Sequence, residues 1–216
     1  PSIALGTFPS DDFESYSTGD LNTLNGGTGW SAGWSCGVDF NVVSSPVQGG
    51  IRAAGTVATA SDHTCLRTFT ANSTNDSIFQ VYSVRSASAS DVFQSRLDDS
   101  GLTAHTIWQF AVDNNIKVYD NLTLTNVGTY SDGTTFSKIQ LKINYTNKTN
   151  AVAVDAGSCS TAYAFYNGGV STDSGRYFMG FNPNSDGTIG VDDISDSTPT
   201  ASSQSVKEDD GWWLVF

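Results

Sequence analysis

Apolar and polar residues alternate along this chain with a period of two. From Lys138 to Tyr145, Ile139, Leu141, Ile143 and Tyr145 point one way, and Lys138, Gln140, Lys142 and Asn144 the other. That period means a strand with one buried and one wet face. Trp108, Phe110 and Val112 form a second alternating set. Ile116 and Val118 form a third, after the turn Asp113-Asn114-Asn115. Ser77 to Arg85, Ala151 to Asp155, Val38 to Val43, Thr64 to Thr70 and Tyr177 to Phe181 also read as strands.

Turn signals separate these runs: Asp98-Asp99-Ser100-Gly101, Asp132-Gly133, Asn167-Gly168-Gly169 and Asp186-Gly187. Many short strands at such spacing predict an all-β sandwich or barrel. No helix, internal repeat or linker is evident before Ser195. Beyond it, residues 196–210 are polar, and the chain closes on Gly211 followed by Trp212, Trp213, Leu214, Val215 and Phe216.

Composition supports this reading. Length is 216 residues, and one all-β domain runs to about 200–250. Glu occurs only as Glu14 and Glu208, while Ser, Thr, Asn, Gly and Asp abound, which favours strands joined by turns. The net charge of −12 argues against nucleic acid and anionic membrane surfaces as partners. It suits solubility and divalent cations. No run of eighteen apolar residues is present to span a bilayer. No signal peptide is visible at Pro1, as a processed chain would also show.

Cys36, Cys65 and Cys159 match no zinc spacing. They allow one disulfide plus a thiol, or three buried thiols; nearness in sequence favours Cys36–Cys65 as the bridge. Sequons at Asn72, Asn75, Asn121, Asn144 and Asn147 are about what chance gives in so Ser-, Thr- and Asn-rich a chain.

Acidic-aromatic segments bracket the strands. Asp11-Asp12-Phe13-Glu14-Ser15-Tyr16 and Asn25-Gly26-Gly27-Thr28-Gly29-Trp30-Ser31-Ala32-Gly33-Trp34 stand at one end, and Gly190-Val191-Asp192-Asp193-Ile194 at the other. With Trp108-Gln109-Phe110, Lys117-Val118-Tyr119-Asp120 and Gly128-Thr129-Tyr130 between them, they resemble concanavalin A-like lectin/glucanase domains. These include laminin-G-like modules of bacterial surface and bacteriophage structural proteins. The resemblance covers roughly residues 10–196 and is specific for fold rather than function. It implies a two-sheet antiparallel jelly-roll β-sandwich, with one sheet often concave and ligand-binding. The expected organisation is an N-terminal arm (1–10), the jelly-roll domain (11–196), and a polar linker with an apolar C-terminal tail (197–216).

Two sets of oxygen ligands suggest structural calcium. Asn182-Pro183-Asn184-Ser185-Asp186-Gly187 places oxygens at alternate positions before a glycine, with Asp193 at position twelve. A plain turn explains the same residues. In related jelly rolls the joined chain ends also hold calcium, which here implicates Asp12 and Glu14 with Asp192 or Asp193. Strict alternation lets Asp12 and Glu14 share a face but admits only one of the adjacent Asp192 and Asp193. Ordinary edge charges are the plainer alternative.

Catalysis finds little support. The glucanase relatives carry Glu-x-Asp-x-x-Glu on one strand, and nothing here matches it. His63 and His105 lack the setting of the lyase relatives. No nucleophile elbow is present. Glycan contact fits better, because aromatic rings stack on the apolar faces of sugars. The candidates are Trp30, Trp34, Tyr119 and Tyr130. Trp108 reads as core with Phe110 and Val112, and Trp30 and Trp34 suit either loop packing or an exposed platform. Tyr119 takes the face opposite Ile116 and Val118.

The apolar segment 212–216 would promote association if left exposed. It either adds a strand to its own sheet or inserts into a neighbouring subunit. The sequence therefore points to a non-catalytic domain at an extracellular, cell or virion surface, serving attachment, decoration or glycan contact. Its expected partners are a glycan or neighbouring subunits of a larger assembly, not nucleic acid or membrane. The alternative is a polysaccharide-degrading hydrolase or lyase of the same fold, which needs two carboxylates facing across a groove.

Overall fold

The structure, a computed structural model, describes residues 7–37, 40–56, 64–85, 92–131, 133–182 and 189–196. Their strands are β1 (Gly19–Asp20), β2 (Ser35–Cys36), β3 (Phe40–Val43), β4 (Ala53–Thr56), β5 (Thr64–Asn72), β6 (Ser77–Arg85), β7 (Val92–Asp98) and β8 (Ala104–Phe110). They continue as β9 (Asn115–Asp120), β10 (Thr123–Thr129), β11 (Ser137–Asn144), β12 (Thr149–Val154), β13 (Tyr163–Ala164), β14 (Ser174–Asn182) and β15 (Ile189–Asp196). A 3₁₀ turn covers Tyr166–Gly168.

Two antiparallel sheets result. One has eight strands in the order β1-β3-β4-β15-β6-β11-β12-β13, and the other seven, β10-β9-β8-β7-β14-β5-β2. This is the expected jelly-roll sandwich. Among the described residues, no helix is long and apolar enough to cross a membrane.

Alternation sorts the side chains. In β11, Ile139, Leu141 and Ile143 are buried while Lys138, Gln140, Lys142 and Asn144 are half-exposed, and Tyr145 is buried just beyond. Phe79 and Val81 from β6 meet Trp108 from β8 and Tyr177 from β14 in one core. The Phe79 ring lies 5.3 Å from Tyr177 and 6.1 Å from Trp108, bridging the sheets. Burying one such side chain stabilises by about 1.5–3 kcal/mol.

One local reading needs correction. Val112 does not join Trp108 and Phe110 in the core but is 57% exposed. β8 ends at Phe110, and the Asn114 amide bonds the Ala111 carbonyl at 3.2 Å, so Val112 rides on a tight turn. Along β5 the inward set is Cys65, Arg67 and Phe69, placing a cation where alternation expects an apolar residue.

The chain's two ends meet. The Asp11 amide donates to the Ile194 carbonyl at 2.9 Å, and the Ile194 amide to the Asp11 carbonyl at 3.0 Å. Cys36 and Cys65 stand opposite each other on β2 and β5 and form a disulfide. Cys159 is exposed.

Candidate functional site

The segment 10–34 carries little regular structure, so its backbone needs partners from elsewhere. Arg67 supplies many of them. Its guanidinium pairs with Asp11 at 2.7 Å, both side chains being fully buried. It also donates to the carbonyls of Ala32 (2.7 Å) and Gly26 (2.9 Å) and to the Asn25 side chain. Asp11 accepts further bonds from the Tyr16 hydroxyl and the Trp34 indole. The guanidinium carbon lies 4.6 Å from the Trp30 ring and 5.4 Å from Trp34. Such cation–π contacts strengthen once desolvated.

This arrangement removes two glycan candidates from service. Trp34 is buried at 1% exposure and bonded to Asp11. Trp30 is half-buried, wedged among Arg67, Trp34 and Phe69, with its indole bonded to the Ser10 carbonyl. Tyr130 is also buried; its hydroxyl accepts from Arg85 and donates to the Ala111 carbonyl, each at 2.6 Å. Tyr119 is half-buried, its ring edge-on to Tyr166 at 5.1 Å. Each aromatic therefore packs on another group of the same protein, and Trp34 and Tyr130 offer no open face.

Beside the Asp11–Ile194 bridge, the outer side of the eight-stranded sheet opens into a cleft of about 420 Å³, within the usual range for small-ligand sites. Tyr82 and Gln80 of β6, Asp193 and Ser195 of β15, and Asp12 and Thr28 of the N-terminal segment line it. Gly27 also lines it at φ +70°, where any Cβ would collide with the Ser10 carbonyl. The site thus combines one aromatic ring, one amide, hydroxyls and two carboxylates.

A bulge in β15 between Asp192 and Ser195 corrects the expectation that only one of the adjacent aspartates reaches this side. Asp192 registers with the outward-facing Tyr82, and Asp193, at φ +46°, turns into the cleft. Asp192 is fully buried and accepts the Gln48 amide at 2.8 Å. Burial pushes its carboxyl up to about 7, with Asp193 adding to the effect. Asp193 is also raised, first by burial and then by the charges of Asp12 and Glu14.

Glu14 points elsewhere. One of its oxygens accepts the Ile51 and Arg52 amides, each at 2.8 Å. It reaches them across Gly50, where a side chain would displace the carboxylate. Among the described residues no three Asp, Glu, His or Cys side chains converge as a metal site, so the expected calcium set of Asp12, Glu14 and Asp193 is not assembled. The alternative loop with Asp186 lies outside the described residues, as do His63 and the tail residues Trp212 to Phe216.

The outward face of the seven-stranded sheet carries a different constellation. Asp98 of β7 is fully buried, with the Arg176 Nε donating to it at 2.6 Å and the Arg96 Nε 2.9 Å from its other oxygen. Burial raises its carboxyl, against the lowering effect of both arginines. Arg96 in turn covers the Phe178 ring at 4.0 Å. Nearby Asp99 bonds the Thr103 amide and Ser171, and Asp173 bonds Ser100. These carboxylates hold loops and cations in place. His105 is buried, bonded to Ser174 at 2.9 Å and Thr106 at 3.0 Å, and burial pushes it down to about 4.

Sequence reading missed Arg67, Gln80 and Tyr82. Arg67 had a signal, a cation at an inward position of an alternating run. Gln80 and Tyr82 had none, because their role depends on which segment crosses above them.

The sequence matches no protein-family model and no curated protein. Solved structures share its fold. A sialidase aligns over 91% of this chain at 11% identity and a TM-score of 0.62, and the chain spans only 19% of that protein. The Bacillus licheniformis beta-glucanase aligns over 91% of this chain and 100% of its own length, at 10% identity and 0.55. Lectin UEA-II, solved with galactose, covers 88% of this chain and 96% of its own, at 9% identity and 0.51. Shared architecture at such identities fixes fold and leaves activity to the site. Two stacked antiparallel sheets, joined chain ends and these alignments together make the fold that of the concanavalin A-like lectins and glucanases.

Proposed function

We propose that this chain is a non-catalytic domain that contacts glycans through the cleft between Tyr82, Asp12 and Asp193. The carrying observation is the composition of that cleft. An aromatic ring suits the apolar face of a sugar, while the Gln80 amide, the Ser195 and Thr28 hydroxyls and two carboxylates suit its hydroxyl groups. The lectin neighbour, solved with galactose, makes a saccharide a reasonable ligand class for this fold. A disulfide between Cys36 and Cys65 suits an oxidising compartment. Display outside the cell or on a particle, for attachment or decoration, belongs to the same proposal.

Asp98 supports the non-catalytic reading. Fully buried and clamped by two arginines, it has no face to offer a substrate. One observation favours the enzyme alternative: Asp12 and Asp193 line the same cleft, and Asp193 is raised in part by Asp12. Paired carboxyl groups across a groove are the mark of glycosidases.

A glycan array on the full chain, with reducing-end release measured on every bound polysaccharide, separates these readings. Binding without cleavage, lost at least tenfold in Tyr82→Ala, is the expected result. Cleavage abolished by Asp193→Asn would establish the enzyme, and absence of binding would remove the glycan reading.

A further inference from the structure

Most carboxylates around the joined chain ends are answered by the protein itself. Asp11 holds the Arg67 guanidinium, and Glu14 accepts the Ile51 and Arg52 amides. Asp192 accepts the Gln48 and Asp193 amides at 2.8 and 2.9 Å. The two that line the cleft differ. Asp12 is exposed, and its Oδ1 accepts the neighbouring Glu14 amide at 3.1 Å. Asp193 is half-buried, and no described residue bonds or pairs with its carboxylate. The charges acting on it are those of Asp12 and Glu14, both of its own sign. Cations are engaged elsewhere: Arg96 and Arg176 serve Asp98, Lys117 serves Asp113, and Lys142 serves Asp76. Lys138 registers with Tyr82 on the side away from Asp192 and is not among the residues that line the cleft.

We propose that the cleft selects a hexosamine whose amino group is free, with the ammonium held by Asp12 and Asp193 and the apolar sugar face on Tyr82. The inference rests on the glycan reading above and names the class of sugar. An ammonium carries three donors and no acceptor, and the two carboxylates with the Ser195 hydroxyl supply acceptors enough. A calcium ion asks for more, about six to eight oxygens, and Glu14 is already engaged. An acidic sugar would bring a further like charge to a carboxyl that burial and its neighbours have already raised. An ammonium acts in the opposite sense and favours the ionised form. Acylating the amine removes its charge and leaves one N–H donor, and a hydroxyl at the same carbon carries no charge either. Charge-assisted hydrogen bonds are roughly twice as strong as neutral ones, so the selection resides in this one substituent.

Tetramers of glucosamine, N-acetylglucosamine and glucose in one common linkage differ at a single carbon and test this by calorimetry on the full chain. The glucosamine tetramer should bind about tenfold more tightly than either of the others at low salt, and the advantage should shrink as salt rises. The double variant Asp12→Asn with Asp193→Asn should bring the affinity ratio to within about twofold of one. Asparagine tolerates the φ of +46° at 193, so the bulge is kept. Asp20→Asn, which removes a carboxylate on β1, should leave the ratio unchanged. Equal affinity for all three tetramers, each weakened by Tyr82→Ala, would overturn the amine selection and keep the glycan reading, whereas no binding of any would remove both. A ratio reduced as far by Asp20→Asn would trace the attraction to the chain's net charge and overturn the proposal. Spermidine bound as tightly as the glucosamine tetramer would assign the carboxylates to amines at large and overturn it as well.

Discussion

Asp11 and Asp12 are neighbours in sequence with opposite fates. Asp11 turns inward, where Arg67, Tyr16 and Trp34 satisfy its charge. Asp12 turns outward onto a cleft that also gathers Asp193, with no cation among the lining residues. The inner region is a closed polar network, complete within the protein. The outer one is open, and burial together with the charges of Asp12 and Glu14 raises the Asp193 carboxyl there. Completed polar networks hold structure, and incomplete ones leave capacity for a ligand.

The sharpest way to break this comparison is to open the closed network. Arg67→Met leaves Asp11 buried without its cation, and the expected loss is about 3–5 kcal/mol in denaturant unfolding. The double variant Arg67→Met with Asp11→Asn should lose less than the single one. An equal or greater loss in the double variant would show that the ion pair does not organise the segment.

A pH series sharpens it further. Burial lowers His105 to about 4 in the fold from an ordinary 6.5, so stability falls as pH drops through that window. Asp192 is raised to about 7 from 3.8, so its burial favours the fold at low pH and loses that advantage as pH rises. The two slopes oppose each other between about pH 4 and 6.5. Asp98 and Asp193 are raised as well and act in the same direction as Asp192, so wild-type stability should fall gently as pH rises there. His105→Gln should steepen that fall, and Asp192→Asn should flatten or reverse it. Slopes shifted the other way in the two variants would contradict these assignments.

Much of this architecture is visible in the alternation. β11 reads directly, because it carries one apolar and one half-exposed polar face along most of its length, whereas β6 reads from its content of β-branched and aromatic residues. The meeting of the chain ends follows from the acidic-aromatic segments. β7 escapes notice because Ser95 interrupts its inward set of Phe93 and Leu97, its hydroxyl serving Tyr177 instead. β10 escapes because an edge strand has too little burial to impose a pattern. The site is less legible still. A one-residue bulge at Asp192 changes which side a carboxylate faces, and alternation cannot register it. Trp34 and Tyr130 look like sugar platforms until Asp11 and Arg85 are seen to hold them.

Smaller effects are expected at the open cleft. Asp193→Asn should change stability by no more than about 1 kcal/mol, since its side chain is only half-buried. Millimolar calcium, added after chelation, should raise Tm by no more than about 2 °C, because Glu14 is engaged by the Ile51 and Arg52 amides. A larger rise would show that the carboxylates of the seam close around a cation after all.

The most direct test is the footprint of a bound saccharide by amide exchange or NMR shift mapping. Perturbation confined to residues 80–82, 10–12 and 193–195 is the expected result. A footprint on residues 94–98 and 176–180, the outward face of the seven-stranded sheet, would contradict the assignment of the cleft.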